Sequence, residues 1–342
     1  MEVFLDRRLR AARPATQPPV RASVIIDRVP APAIIPVAAS CDRPRWSVMI
    51  PVCNRVKYVP EAIRSVVAAG YARSEMQICV VDNSTIPIDW MTILGPELHD
   101  RITVYSQPSH VSLSANWNTC VTEASGHLVH ILHDDDWVLP GFYQHIENDA
   151  DRHPAFGLFA ARCFLTDDAG VILSVSSRLP KLERGANDPS ELFVTNHLYC
   201  PGVVVRRSTY DSCGGFRDDL GSVVDWEMWC RIIGSSGGRV SSHVLACYRT
   251  QEDSHYSKAI RSGSNLMDIE RLYALHASTF DAFPTSAAVA GLLNLARVQE
   301  ATFERAGDRE AAASNAAFLR VRLPFAARLR RNLRDLVRRW RR

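Results

Sequence analysis

The chain has 342 residues, 46% of them apolar and 23% charged, with 17 Gly and 19 Pro; this is globular composition and excludes a collagen-like or wholly disordered chain. No run approaches the ~18 uninterrupted apolar residues of a membrane-crossing helix, and nine cysteines spread singly from Cys41 to Cys247 fit reduced, mostly buried thiols, not a disulfide frame or a structural zinc site. The net charge of +3 is uneven: residues 320–342 hold ten Arg and one Asp, and setting that +9 aside leaves −6 for the rest, unlike the uniformly basic surface of a nucleic-acid-binding protein.

Residues 1–44 carry seven Pro, seven Arg and no Gly, without helical or strand periodicity, which predicts a disordered or loosely packed leader. The apolar stretch Val29 to Ala39 is broken by Pro30, Pro32 and Pro36. It makes no secretory core, and the expected home is the cytosol. Order is expected from Trp46. The run WSVMIPV (46–52) reads as a buried strand. Ile63, Val66 and Val67 sit at helical spacing within 59–69, with Gly70 as a stop. QICVV (77–81) predicts a second strand ending at Asp82-Asn83-Ser84, and RITVY (101–105) a third. Residues 112–124 predict a helix closed by Gly126, and HLVHIL (127–132) a fourth strand running into His133-Asp134-Asp135-Asp136.

Such alternation implies a parallel α/β sheet, and ligands bind at the carboxyl ends of its strands. Asp82 and the Asp134–Asp136 triplet both follow strands, so the fold should bring them to one edge. Beyond residue 150 short strands are expected at 155–160, 171–176 and 201–206. A helix is expected at 226–233, where Trp226, Trp229, Cys230 and Ile233 recur at helical steps. A strand follows at 239–247, then Ala- and Leu-rich helices from 260.

No P-loop, G-x-G-x-x-G or H-E-x-x-H is present. Gly234-Ser235-Ser236-Gly237-Gly238 matches the G-x-S-x-G of serine hydrolases, but that elbow needs a strand before it and a helix after it. Here the order is reversed, so a helix-to-strand turn is the better reading. Three consecutive carboxylates pinned between apolar segments require a screening cation or solvent, and hard oxygen ligands suit Mg2+ or Mn2+. Asp82 reads as turn chemistry or as an acceptor for a nucleobase N–H. Asp225 reads as a helix cap or a general base; a helix N-terminus would lower its pKa and burial beside Trp226 would raise it.

The runs SVMIPVCNRVKYVPEAIRSVVAAGY, QICVVDNS, SANWNTCVTEASGHLVHILHDDDWVLPG and GGFRDDLGSVVDWEMWCRI together resemble family 2 glycosyltransferases of the GT-A fold, over residues 46–250. The resemblance implies an α/β fold, a GT-A Rossmann-like sheet with a helical C-terminal extension. The expected organisation is a leader (1–44), the transferase domain (45–255), a helical extension (256–319) and a basic amphipathic helix (320–342). It implies an inverting enzyme that moves a sugar from a nucleotide diphosphate donor, UDP or dTDP favoured, to a hydroxyl of an envelope or lipid-linked glycan.

By the same resemblance, Pro51 to Asn54 match the first nucleotide-binding loop and Asp82 the acid that binds the base. His133-Asp134-Asp135 align with the family's D-x-D by their distance to Pro140, so that Asp134 faces the ribose and Asp135 holds the metal. The literal D-x-D, Asp134-Asp135-Asp136, would make Asp136 the ligand instead. Asp225 matches the base that deprotonates the acceptor. Three positions depart: Cys53 stands where many members stack an aromatic on the base, His133 replaces the first acid of the D-x-D, and Val224 replaces the acid before the catalytic base. Arg249 reads either as a cation near the diphosphate or as a surface arginine. Rival readings are a nucleotidyltransferase, whose Gly-rich phosphate loop is missing at Pro51-Val52-Cys53-Asn54, and a catalytically degenerate membrane-bound scaffold.

At the C-terminus Phe325, Leu329, Leu333, Leu336, Val337 and Trp340 form one apolar stripe flanked by arginines, with Pro324 at its start. That pattern suits the surface of an anionic membrane, on the inner face of which a cytosolic enzyme would sit. The alternatives are a helix docked on the acidic body or an RNA-binding tail. No nucleic-acid partner is expected.

Overall fold

The computed structural model describes residues 30–38 and 42–322. Strand β1 (Trp46–Val52) leads into α1 (Val59–Val67), β2 (Met76–Asp82), α2 (Trp90–His99), β3 (Thr103–Ser106), α3 (Leu113–Glu123) and β4 (Leu128–Ile131). These four strands pair in parallel in the order β3-β2-β1-β4, as the alternating pattern predicts. Then come β5 (Trp137–Val138), α4 (Phe142–Arg152), β6 (Leu158–Thr166), β7 (Ile172–Val175), α5 (Pro180–Glu183), β8 (Val203–Arg206), α6 (Arg207–Cys213), α7 (Val224–Ser236) and β9 (Gly238–Arg249). In this half the pairing is mixed. β8 is antiparallel to both β4 and β6, β9 is parallel to β6, and β5 is antiparallel to β9. The sheet thus continues as β4-β8-β6-β9-β5, with β7 paired to β6. Helices α8 (His255–Ser262), α9 (Ser264–Thr279), α10 (Thr285–Ala306) and α11 (Arg309–Arg322) form the helical extension.

Side chains alternate across β1. Trp46, Val48, Ile50 and Val52 pack with Ile63, Val66, Leu94 and Ile146 of α1, α2 and α4. Met49 faces the other way, with Trp117, Val121, Trp229 and Ile233 of α3 and α7. A sheet covered on both faces needs apolar residues of both parities, which is why β1 reads as a continuous apolar run. Pro51 is tolerated in this central strand because pairing with β4 ends at Met49, so no ladder bond on that side is lost.

Two helices escape the sequence pattern for identifiable reasons. Within α2 the backbone turns left-handed at Gly95 (φ 71°) before Pro96, which breaks its periodicity. In α4 the buried set Phe142, Tyr143, Ile146, Asp149 and Ala150 lies among polar and charged residues.

Part of the segment expected to be a loose leader is docked on the domain. Ile34 is buried in the core, the Pro32 carbonyl accepts from Gly215 N–H at 2.7 Å and the Ile35 carbonyl from Arg207 at 2.7 Å. A proline-rich stretch needs no ladder of its own when its carbonyls find donors on the body. The rest of residues 1–29 and 39–41 lie outside the described residues, as does 323–342, where most of the basic amphipathic helix is expected.

The connection from α3 to β4 crosses the start of β1 closely. Gly126 donates to Ser47 Oγ at 2.7 Å, and a Cβ there would stand 2.5 Å from the Trp46 carbonyl carbon. Gly126→Ala should therefore destabilise the protein by about 1–3 kcal/mol, read as a lower urea midpoint at unchanged slope.

Candidate active site

The carboxyl ends of β1, β2 and β4 meet along one edge, and the loops that leave them supply the polar residues. Asp82 is the last residue of β2 and is buried. Its Oδ1 accepts from Ser84 N–H at 2.9 Å and its Oδ2 from Trp90 Nε1 at 3.2 Å. The turn-capping role is filled, and a carboxylate with about four acceptor positions keeps room for a further donor.

Asn54, after β1, is the one non-glycine residue with positive φ (60°) among the described residues. Its N–H donates to Ser84 Oγ, and its Oδ1 accepts from Thr85 N–H, both at 2.9 Å. Local bonding of this kind is what lets Asn hold a left-handed conformation. Cys53 is exposed beside it. Burial, Asp134 and Asp82 raise its thiol pKa.

All three carboxylates of the triplet are buried. Asp134 is pushed up to about 6, chiefly by burial, with the Asp135 charge adding to it and the Arg55 bond opposing. Burial also raises Asp135 and, further, Asp136. Arg55 binds Asp134 through Nε (3.2 Å) and Nη2 (2.7 Å), and its Nη2 also reaches Asp135 Oδ2 at 2.8 Å. Gln251 Nε2 donates to the same Asp135 oxygen at 2.7 Å.

Asp136 faces inward, 1% exposed. Its Oδ1 accepts from Arg249 N–H at 2.8 Å and so ties the end of β9 to the triplet. Its Oδ2 is buried without a hydrogen-bond partner, as is His133 Nε2. His133 stacks on Trp117 with ring centroids 5.0 Å apart, and burial lowers its pKa to about 4, leaving a neutral imidazole whose nitrogen can donate electrons. One ligand atom each from His133, Asp135 and Asp136 lies within 4.8 Å of the others. Buried carboxylates short of countercharge, next to orphaned buried nitrogen and oxygen atoms, fit a divalent cation.

Asp225 lies in the first turn of α7, one residue inside the start at Val224, and is not the cap residue, which is Val223. Its Oδ1 accepts from Trp226 N–H at 2.7 Å, and its Oδ2 from Asn196 Nδ2 at 3.1 Å. Cys200 Sγ stands 3.9 Å from Oδ2. Between the two opposing influences burial wins: the pKa rises to about 6, against the pull of the Trp226 and Asn196 bonds. After burial, the charges of Asp136, Asp135 and Asp225 all raise the Tyr248 hydroxyl, and those of Asp225 and Asp136 raise the Cys200 thiol.

Arg249 is neither a free cation beside the triplet nor a surface arginine. It is 4% exposed, 4.0 Å from the Tyr58 ring centre and 4.6 Å from that of Trp137. Its guanidinium donates to the Asp135 and Asp168 carbonyls and to Glu61. With each of its three guanidinium nitrogens engaged it locks loops together, and Arg55 faces the acids. Sequence reasoning passed over Arg55, Gln251 and Asn196. For Arg55 the signal was available: it follows Asn54 directly, in the loop that opens the edge. The hydrolase-like glycine run is the α7–β9 turn, with Gly237 at φ 68°.

Three comparisons place this edge. The uncharacterized protein MT1568 of Mycobacterium tuberculosis (strain CDC 1551 / Oshkosh) is 27% identical over 256 residues, covering 71% of this chain and 79% of that protein. Among solved structures, S. aureus TarS 1–349 in complex with UDP-GlcNAc superposes with a TM-score of 0.51 at 15% identity, covering 82% of this chain and 93% of that one. Mannosyltransferase PcManGT from Pyrobaculum calidifontis, in complex with GDP-Man and Mn2+, has a TM-score of 0.50 at 17% identity, covering 84% and 83%. These likenesses show the fold. The family model for glycosyl transferase family 2 matches residues 47–213, from the second residue of β1 to the end of α6, and so takes in Asp82, the triplet and the loop that carries Asn54 and Arg55. Residues 47–213 of this chain are thus similar to glycosyl transferase family 2, on a mixed α/β sheet of GT-A type with a helical C-terminal region.

Proposed function

We propose that this chain is an inverting, metal-dependent transferase that moves a sugar from a nucleotide diphosphate donor, UDP or dTDP favoured, to a hydroxyl of an envelope or lipid-linked glycan. The observation that carries the reading is the buried cluster of His133, Asp135 and Asp136 at the strand ends, on the same sheet edge as Asp82. Similar folds hold UDP-GlcNAc in one case and GDP-Man with Mn2+ in another, which supports a nucleotide-sugar donor as a class.

In this reading Asp82 accepts from the base, Pro51 and Asn54 shape the loop beneath the nucleotide, and Asp134 faces the ribose. Asp135 holds Mg2+ or Mn2+; Asp136 is the runner-up, and its anchoring of Arg249 supports placing it behind Asp135. The ion, when bound, offsets charge on the leaving diphosphate. Asp225 takes the proton of the acceptor hydroxyl as its oxygen attacks the anomeric carbon and the bond to the diphosphate breaks in line. Asn196 holds the Asp225 carboxylate in place. Without an aromatic at Cys53, stacking on the base is left to other groups, and specificity for the base falls mainly on Asp82.

Incubation with UDP-, dTDP- and GDP-sugars in Mn2+ tests the class. The reading expects slow release of the nucleoside diphosphate without acceptor. Release of pyrophosphate from a nucleoside triphosphate supplied with a sugar 1-phosphate would instead mark a nucleotidyltransferase, and no release from any of these substrates would favour the scaffold.

Among the described residues no helix is long and apolar enough to cross a membrane. We place the enzyme peripherally on the inner face of an anionic membrane through the arginine-rich segment beyond Arg322. Removing residues 323–342 should abolish sedimentation with anionic liposomes and spare donor hydrolysis. Equal sedimentation of both forms would leave the segment docked on the body. Each arginine near such a surface contributes about 1 kcal/mol.

A further inference from the structure

The triplet is not left bare: it carries an internal cation. Arg55 spans two of its carboxylates and donates through Nη1 to Gln251 Oε1 at 3.1 Å, while Gln251 donates back to Asp135 Oδ2 at 2.7 Å. Asp135 Oδ2 therefore already receives two donors, one of them charged. A divalent ion at that oxygen competes with a guanidinium 2.8 Å away, because both acceptor positions of the oxygen are already filled and the two cations repel.

The guanidinium has somewhere to go. The Arg55 side chain is 30% exposed and stands on a loop whose base, Asn54, is fixed to the loop after β2. The backbone can stay while the side chain swings outward. A diphosphate is a favourable destination, since its oxygens match the planar fork better than water does.

Resting on the metal and donor reading above, we propose that Arg55 is a built-in counter-cation that competes with the divalent ion for Asp135 and transfers to the donor diphosphate when ion and nucleotide arrive together. An ion alone must displace Arg55 into solvent. With the nucleotide present, the displaced guanidinium gains a new partner. The two ligands are then coupled, each favouring the arrangement the other needs, and Arg55 is the positioning residue that couples them.

The test is calorimetric titration of the full-length protein with Mn2+ alone, and with UDP or GDP at fixed Mn2+. Arg55→Gln should bind Mn2+ alone about tenfold more tightly than wild type and bind nucleotide in Mn2+ about tenfold more weakly, a coupling of ordinary size for linked sites. These shifts are opposite in sign, whereas a structural role would weaken both. Arg55→Lys keeps the charge but cannot bridge both carboxylates, so it too should bind Mn2+ alone more tightly, by less. Mn2+ affinity unchanged or weakened in folded Arg55→Gln and Arg55→Lys overturns the counter-cation while leaving the metal site standing. A wild-type protein that binds no Mn2+ with either nucleotide overturns both.

Discussion

Asp225→Asn should lose roughly 10²–10⁴ in kcat for sugar transfer with little change in KM for the donor, because it removes proton abstraction and keeps the shape of the side chain. The carboxylate is well placed for that role. Its Oδ2 is reached by Asn196 and Cys200, its Oδ1 by the backbone of α7, and burial holds its pKa near 6. A base is active only when ionised, so the wild-type rate should fall as pH drops through about 6 rather than through the ordinary carboxylate range. The residual rate of Asp225→Asn should lack that limb. The same shift acts in the opposite sense on stability. A carboxyl whose folded pKa is raised binds more protons folded than unfolded between its ordinary value and about 6, so falling pH in that window favours the folded state. Loss of activity near pH 5.5 therefore reflects this group and not its contribution to unfolding. An Asp225→Asn enzyme of near-normal turnover would reduce the residue to part of a helix end.

The second large effect is expected at the triplet. Asp135→Ala should weaken Mn2+-dependent nucleotide binding by at least about 100-fold, since loss of even an outer-shell partner of a metal ligand costs about 10–100-fold. Its fold should survive: Arg55 keeps Asp134 as a partner, and Asp135 contributes no side-chain bond to a neighbouring strand. Asp136→Ala differs in kind. It removes the acceptor for Arg249 N–H at the end of β9 and should lower the unfolding midpoint. A folded Asp136→Ala protein that loses nucleotide binding, beside an Asp135→Ala protein that retains it, would move the ligand to Asp136.

Much of this arrangement is legible in the sequence. The apolar runs of β1, β2 and β4 declare buried strands because both faces of the sheet are covered, and the acids that follow them fall on one edge by topology alone. Asp82 and the triplet follow β2 and β4 at that edge, as the alternating pattern implies. What is not legible depends on contacts between distant residues. Arg249 looks available beside a strand end, yet the rings of Tyr58 and Trp137 and the acceptor Glu61 bury it. Arg55 looks like a loop residue, yet it faces two acids nearly eighty positions away. The mixed pairing of the second half is hidden for a similar reason: β5 and β8 are short, and their partners are strands distant in the chain. Helix α2 is hidden by its own Gly95-Pro96 break.

The central claim is that these acids form one site for a divalent ion and a nucleoside diphosphate. Thermal unfolding of the wild-type protein with UDP, dTDP or GDP, each with and without Mn2+, tests it most directly. At about 100 times Kd a ligand that binds only the folded state adds about 2.7 kcal/mol of stability. The account predicts such a rise for at least one of these nucleotides when Mn2+ is present, and little from that nucleotide or from Mn2+ alone. Unfolding that no nucleotide shifts, or that one shifts equally without Mn2+, would contradict it.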